Sequence, residues 1–259
     1  MFISIVITVK NEADNIAELL DSLLIQEEPF EIIIVDANSN DGTQEILKEY
    51  AEKYKQVKFF IHAGSRGEGR NFGVKKAKGK IIAFTDGGCK ADKNWLKELR
   101  KKINEGYDIV AGKTINVGRF EEIERVKVYY KGYDVTYPSC NLAYRKELFE
   151  KIGGFDNRFV TAEDIDLNLR AIKAGGKITY NENAIIYRKT AKNILSFIKQ
   201  AFFYGYGRKQ LALKHGQLWK SYSMEQIFST HLSFLGLFRL FFGMLGYLVC
   251  KMSGGKLKS

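Results

Sequence analysis

Three short stretches of this chain hold side chains whose types and spacing could do chemistry. Asp36 follows directly on the apolar run Glu31–Val35, and a turn, Asn38-Ser39-Asn40-Asp41-Gly42-Thr43, comes after it. A carboxylate at a strand end can accept hydrogen bonds from a nucleobase imide or a ribose hydroxyl. It can equally serve its own turn, as Asp and Asn side chains commonly do. Thr85-Asp86-Gly87-Gly88-Cys89 follows a second apolar run. Two glycines beside a carboxylate let backbone and a hard cation come close to a diphosphate, although a plain strand exit can look the same. Glu163-Asp164 opens a helical pattern that runs to Ala174. An acid there can remove a proton from an acceptor hydroxyl, or can simply complement the helix dipole.

The elements around these stretches alternate between two periods. Phe2–Val9, Glu31–Val35, Val57–Ile61 and Lys80–Thr85 are apolar runs of strand length. Between them, Asn15–Leu24, Thr43–Tyr54 and Arg70–Ala77 have helical spacing; the first puts Ile16, Leu19, Leu20, Leu23 and Leu24 on one face. Apolar strands alternating with helices predict an α/β fold, a mainly parallel sheet covered on both faces. Ligands of such sheets lie beyond the carboxyl ends of the strands, which is where Asp36 and Asp86 stand. Farther on, the pattern predicts helices at Trp95–Asn104, Lys146–Ile152 and Ile165–Ala174, and strands near Asp108–Thr114, Lys177–Tyr180 and Ala184–Tyr187.

Composition excludes several classes. With 45% hydrophobic and 27% charged residues, the 259-residue chain is neither a disordered tail nor a collagen-like repeat. Its three cysteines, Cys89, Cys140 and Cys250, are far apart and odd in number, which disfavours a disulfide framework and favours a reducing compartment. The chain opens straight into a strand-like run with no basic region ahead of it, as expected where there is no secretory signal. Charge is distributed unevenly. Residues 1–187 balance 29 Lys and Arg against 29 Asp and Glu, whereas residues 188–259 hold 12 basic residues and one acid, Glu225. The net charge of +11 therefore sits in the last 72 residues and points to a polyanionic partner.

Six segments, in this order and at these separations, resemble the family 2 glycosyltransferases of the GT-A fold. They are Ile5–Asn11 (IVITVKN), Glu31–Thr43 (EIIIVDANSNDGT), Gly69–Gly79 (GRNFGVKKAKG), Ile81–Leu96 (IIAFTDGGCKADKNWL), Pro138–Asp156 (PSCNLAYRKELFEKIGGFD) and Thr161–Arg170 (TAEDIDLNLR). The resemblance implies a GT-A catalytic domain over residues 1–190, with a nucleotide-sugar half to about residue 95 and an acceptor half from 96. It implies that Thr8, Val9 and Glu12 line the nucleotide pocket, with Asp36 on the base and Arg66 and Arg70 near base and diphosphate. Asp86 and Gly87 would reach the ribose or a Mn²⁺ or Mg²⁺ ion, and Cys140 and Asn141 would wall the donor sugar. Asp164, with Glu163 beside it, matches the general base of an inverting single displacement. Two positions depart from the family pattern. Gly88 replaces the second acid of the DxD metal motif, and Arg188 stands where relatives often offer a metal-binding histidine. Either the metal site is weak or the charge of Arg188 substitutes for it in part; Asp92 could add a ligand or could cap the helix at Trp95.

Residues 191–259 form a helical extension rich in aromatic and basic residues. Gln200–Arg208 (QAFFYGYGR) resembles a stretch that follows the catalytic domain in membrane-associated relatives, where Arg208 could reach diphosphate oxygens. Ile227–Cys250 is apolar over 24 residues apart from His231 and Arg239, with Lys220, Lys251, Lys256 and Lys258 as basic flanks. Ser229, Ser233, Gly236, Gly243 and Gly246 fall mostly along one face. This segment reads as a helix lying in the plane of an anionic membrane, a helix buried in a homodimer, or a single span interrupted by Arg239. A lipid-linked or glycan acceptor and a place at the cytoplasmic face of the cell membrane follow as expectations. The basic tail alone does not make a nucleic-acid platform, so no nucleic-acid partner is expected. Two other readings stay open, a nucleotidyltransferase and a non-catalytic sugar-nucleotide-binding protein. Val9-Lys10-Asn11-Glu12 lacks the Gly-rich loop of the first, and the acids at Asp36, Glu163 and Asp164 argue against the second.

Overall fold

The computed structural model describes residues 1–118, 126–191, 193–216 and 234–255. These form two compact units. One comprises Met1–Ile115, Tyr137–Phe155 and Ala171–Lys189; the other comprises the described residues of Asn116–Thr136, Asp156–Arg170 and Thr190–Ser259.

The first unit is built on an eight-stranded sheet whose strands lie in the order Val57–Ile61, Phe30–Asp36, Ile3–Val9, Ile81–Asp86, Leu142–Arg145, Ile109–Val117, Ile178–Lys189 and Cys89–Ala91. β1 (Ile3–Val9), β2 (Phe30–Asp36), β3 (Val57–Ile61) and β4 (Ile81–Asp86) run parallel. β9 (Leu142–Arg145) is antiparallel to both β4 and β6 (Ile109–Val117), and β10 (Ile178–Lys189) is antiparallel to β5 (Cys89–Ala91). β1, β2 and β4 are buried on both faces, as their apolar runs require, with Ile3, Ile5, Ile7, Ile32, Ile34 and Ala83 inaccessible to solvent, while β3 at the sheet edge is largely half-buried and exposes Ile61. The helices α1 (Ala13–Leu24), α2 (Thr43–Lys53), α3 (Arg66–Lys76), α4 (Trp95–Asn104) and α5 (Lys146–Lys151) complete this unit.

α3 begins four residues before the apolar pattern suggests. Ser65 and Glu68 form a reciprocal capping box there, each side chain taking the other's backbone N–H. Its glycines set its distance from the sheet. A Cβ on Gly73 would stand 2.5 Å from Val6 Cγ1, and one on Gly69 would stand 2.8 Å from Thr8 Cγ2. This close packing turns Arg70 inward, where it is 1% exposed. Gly73→Val is therefore expected to destabilise the protein by about 1–3 kcal/mol through overpacking. In a thermal melt this is a fall of several degrees; an unchanged midpoint would show that α3 moves away from β1 without cost.

Two strands depart from the sequence expectation. Residues 178–189 form one continuous strand rather than two, and β9 takes a central place in the sheet although its four residues, LAYR, show too little periodicity to announce it. The 3₁₀ turn Ser139–Asn141 leads into β9.

The second unit contains the short hairpin β7 (Tyr129–Tyr130) and β8 (Tyr133–Asp134), the N-terminal turns of α6 (Glu163–Lys173), and α7 (Ile194–His215) and α8 (Phe234–Met252). α7 and α8 run in the same direction and meet almost backbone to backbone. A Cβ on Gly205 would overlap the carbonyl of Gly243, and one on Gly246 would overlap that of Phe202. The small-residue face that the sequence offers to a second copy is thus covered, at Gly243 and Gly246, by α7 of the same chain. The other side of α8 exposes Leu237, Phe241, Met244, Leu245, Leu248 and Met252, a stripe at helical spacing. Residues 227–233 of the apolar segment, with Ser229, His231 and Ser233, lie outside the described residues, as do Lys220, Lys256 and Lys258.

Candidate active site

The carboxyl ends of β1, β4 and β10 and the start of α3 bring one cluster together in the first unit. At its centre is Asp86, the last residue of β4, paired in register with Thr8 of β1. Asp86 Oδ1 accepts from Arg70 Nη2 at 2.7 Å. The Arg70 guanidinium also lies over the Phe155 ring, 5.2 Å from its centroid, so its apolar face is covered while its edge meets the carboxylate. Burial opposes ionisation of Asp86. The charges of Arg70, Arg66 and Arg188, together with the Arg70 hydrogen bond, outweigh that burial and hold its carboxyl below the ordinary value.

On Asp86's face of the sheet the hydroxyl of Thr8 is buried with no hydrogen-bond partner; that of Thr85, likewise unpartnered, points with Ile7 to the opposite face. Buried polar atoms are normally satisfied, so the orphan Thr8 Oγ1 beside Asp86 marks a place for a polar ligand. The floor next to it is thin. A Cβ on Gly87 would stand 2.7 Å from Glu12 Cγ and 3.1 Å from Val9 Cγ1, so only glycine leaves that space open. Glu12 Oε2 accepts from Asn15 Nδ2 at 2.7 Å.

β10 and the 3₁₀ turn supply the neighbouring wall. Arg188 pairs in register with Cys89, and its Nη1 lies 4.0 Å from Cys140 Sγ. Thr114 Oγ1 is 3.9 Å from the same sulfur. The Cys140 sulfur beside it, together with burial, pushes the Cys89 thiol up from its ordinary value.

Other candidates are placed differently from the sequence expectation. Asp36 is fully buried and both its oxygens serve the following loop: Ser39 N donates at 2.9 Å, Ser39 Oγ at 2.5 Å and Gln44 Nε2 at 2.7 Å. Asp41 accepts from Thr43 and from Ala13 N, fastening the starts of α1 and α2. Asn141 does not turn toward a ligand. Its Nδ2 donates to the carbonyls of Lys113 and Ala184, and its Oδ1 accepts from Trp95 Nε1 at 2.8 Å. It fastens α4, β6 and β10 together instead, against Gly112, where a Cβ would collide with its amide. Asp92 serves a turn, accepting from Asn94 N at 2.9 Å.

Glu163, Asp164 and Arg208 belong to the second unit. Glu163 and Asp164 open α6 directly after Ala162, a non-glycine residue at φ +62°. Such a conformation persists only where its surroundings enforce it. α7 supplies those surroundings. Gln210 Oε1 accepts from Val160 N at 3.1 Å, its Nε2 donates to the carbonyls of Arg158 and Gly255, and Gly207 leaves room for Thr161. Asp164 Oδ1 accepts from Ile165 N at 2.8 Å. Arg208 Nη2 donates to the Val126 carbonyl at 3.2 Å.

The sequence reading passed over Phe155 and Gln210. Phe155 lies inside the quoted IGGFD segment, where it looks like a core residue. Gln210 carries no local signal at all, because its role depends on a loop 50 residues earlier.

Comparison with known proteins bears directly on this arrangement. Residues 4–153 match the family model described as glycosyl transferase family 2, and residues 125–253 match that of glycosyl transferase family group 2. The "Glycosyltransferase AglE" of Haloferax volcanii is 29% identical over 226 residues, covering 81% of this chain and 74% of its own. A "Dolichyl N-acetyl-alpha-D-glucosaminyl phosphate 3-beta-D-2,3-diacetamido-2,3-dideoxy-beta-D-glucuronosyltransferase" of Methanococcus voltae is 28% identical over 241 residues, covering 83% and 75%. Among solved structures, S. aureus TarS 1–349 in complex with UDP superposes with a TM-score of 0.65 at 20% identity, covering 100% of this chain and 93% of that one. The mannosyltransferase PcManGT of Pyrobaculum calidifontis, in complex with GDP-Man and Mn²⁺, gives 0.68 at 17% identity, covering 98% and 76%. These likenesses establish the GT-A architecture expected from the sequence.

Proposed function

Because the chain belongs to glycosyl transferase family 2, and is thereby a glycosyltransferase, we propose that it moves a sugar from a UDP- or GDP-linked donor to a lipid-linked or glycan acceptor. The observation that carries the donor class is the cluster in the first unit. Three guanidinium groups act on one carboxylate, Asp86, beside the unsatisfied hydroxyl of Thr8 at the end of β1. That is net positive charge with hydrogen-bonding capacity to spare, the complement of a nucleoside diphosphate. UDP in TarS and GDP-Man in PcManGT, both folds of this kind, support the same reading.

In this reading Asp164 removes the proton from the acceptor hydroxyl or phosphate as that group attacks the anomeric carbon. The nucleoside diphosphate departs from the opposite face, the configuration inverts, and no covalent sugar intermediate forms. Arg66, Arg70 and Arg188 stabilise the charge that develops on the leaving group. Thr8, Val9, Glu12 and Gly87 shape the nucleotide pocket, and Cys140 stands in the wall beside the sugar.

We assign residues 1–190 to the catalytic domain and 191–259 to a segment that rests on an anionic membrane at the cytoplasmic face. Among the described residues one helix, over Leu235–Met252, is long and apolar enough to cross a bilayer, with a mean hydropathy of 1.5. Its one-sided exposure favours lying in the interface over spanning it. Arg239, costly in lipid when alone, has its guanidinium over the Tyr204 ring at 5.4 Å. A lipid-linked acceptor suits such a position, and the dolichyl N-acetyl-alpha-D-glucosaminyl phosphate in the name of the Methanococcus voltae relative supports it.

The test is to incubate the full chain with a panel of UDP- and GDP-sugars and a polyprenyl-phosphate extract. One donor is expected to release its nucleoside diphosphate and label the lipid phase with an inverted linkage. Binding of nucleotides without transfer from any donor would favour a non-catalytic binding protein.

A further inference from the structure

A divalent ion at the donor pocket is what the resemblance implies and what PcManGT holds. The residues of this chain do not fit one. Mg²⁺ and Mn²⁺ need several hard oxygen ligands, and the cluster offers Asp86, whose Oδ1 is already paired with Arg70 at 2.7 Å. The second acid of the motif is replaced by Gly88, Cys89 is buried and offers only a soft sulfur, and Glu12 Oε2 is engaged by Asn15. Among the described residues no three His, Cys, Asp or Glu side chains converge on a point that could hold a metal. The field is also of the wrong sign. Arg66, Arg70 and Arg188 all act on Asp86, and with Glu12 beside Gly87 and Gly88 the local sum is three positive charges against two negative. A free dication is repelled there, and an anion is drawn in.

We infer that this pocket binds the nucleoside diphosphate without a divalent metal ion, with Arg188 occupying the place and supplying the charge of the missing metal centre. The inference rests on the nucleotide-sugar reading above and deepens it. Arg188 suits the role by position. It is half-buried on β10, held in register with Cys89 and close to Cys140, so its guanidinium is tethered to the sheet rather than loose in solvent. At neutral pH a nucleoside diphosphate carries a charge of about −3, given a terminal phosphate that titrates near 6. The three guanidinium groups leave the pocket net positive toward that anion, and as planar donors they can hold phosphate oxygens in pairs, as a metal ion would.

The experiment is calorimetric titration of the full chain with UDP and with GDP, once in EDTA and once in Mn²⁺. At least one nucleotide is expected to bind with affinities that agree within about threefold in the two buffers. The electron paramagnetic resonance signal of free Mn²⁺, already lowered by the nucleotide alone, should fall no further when the chain is added. Arg188→Ala should weaken binding tenfold or more in EDTA, with no recovery in Mn²⁺, while Arg188→Lys keeps most of the affinity. The double variant Gly88→Asp with Arg188→His, which restores the ligand types of the family pattern, should bind the nucleotide at least tenfold more tightly with Mn²⁺ than without. A tenfold or greater gain from Mn²⁺ in the wild type would overturn the inference and leave the donor reading intact. So would an Arg188→Ala protein that folds and binds as well as the wild type. Failure of both nucleotides to bind in either buffer would overturn the donor reading, and this inference with it.

Discussion

Asp164→Asn is expected to lower sugar transfer by about 10²–10⁴-fold, the usual contribution of a general base, while nucleotide affinity stays as in the wild type. The substitution is nearly isosteric. Asn keeps an oxygen that can accept from Ile165 N, the bond that Asp164 Oδ1 makes at 2.8 Å, so the first turn of α6 should hold. What asparagine cannot do is take the acceptor's proton. Glu163→Gln is the informative control, because the two acids are adjacent and sequence alone does not separate their roles. Glu163 is 7% exposed, whereas Asp164 is half-buried and better able to meet an acceptor. If Asp164→Asn retains turnover within tenfold while Glu163→Gln loses it, the base is Glu163 and the proposed assignment is wrong.

The sheet was legible because its strands are long, apolar and bounded by turns. Periodicity found β1 to β4 and the helices between them within a few residues. Legibility failed where an element owes its existence to partners distant in sequence. β9 is four residues with no internal pattern, and it forms because β4 and β6 flank it on both sides. The cluster around Asp86 was readable as a set of residues through the family resemblance, with Asp86 and Arg188 at the ends of their strands and Arg70 one turn into α3. Its charge balance was not. Only the fold shows that three guanidinium groups act on one carboxylate, which changes what that carboxylate can bind. Asn141 shows the converse. Its position in a motif suggested a ligand contact, but an amide with three partners inside the protein is occupied in holding strands. Asp36 is similar, because a carboxylate followed by Ser at the third position closes an Asx-type turn whatever else it does.

Asp166→Ala should have the opposite signature to Asp164→Asn, costing stability rather than chemistry alone. Asp166 is inaccessible to solvent, and four donors reach it from two helices. Arg170 Nε and Nη2 each lie 2.8 Å from Oδ2; Lys214 Nζ at 2.6 Å and His215 Nε2 at 2.7 Å lie on Oδ1. Lys214 also pairs with Asp156 at 2.7 Å and lies over the Phe159 ring. Removing the carboxylate leaves those donors facing a hole, and breaking a buried pair in this way costs about 3–5 kcal/mol. In a chain of this size the loss is roughly a 10 °C fall in melting temperature. The pH dependence has a definite sign. Burial works against the charged form of Asp166, but hydrogen bonds from His215 and Lys214 and the charges of Arg170 and Lys214 outweigh it, so its carboxyl titrates below the ordinary value. Asp156 is lowered too, chiefly by Arg158 and Lys214 against the effect of burial. A carboxyl whose pKa is lower folded than unfolded contributes its stability fully above the unfolded value, near 4, and loses it as pH falls through the folded one. The wild type should therefore melt at a constant temperature from about pH 7 to 5 and progressively lower below about pH 4. Asp166→Ala should start lower and fall less steeply with acid. An alanine variant that melts within 2 °C of the wild type, or keeps its full acid slope, would mean that the four donors find other partners. The contact between α6 and the end of α7 would then not rest on Asp166. Two carboxylates separated by one residue thus divide their work by orientation. Asp164 is half-buried and can meet an acceptor, whereas Asp166 turns inward to fasten the helix that carries them both.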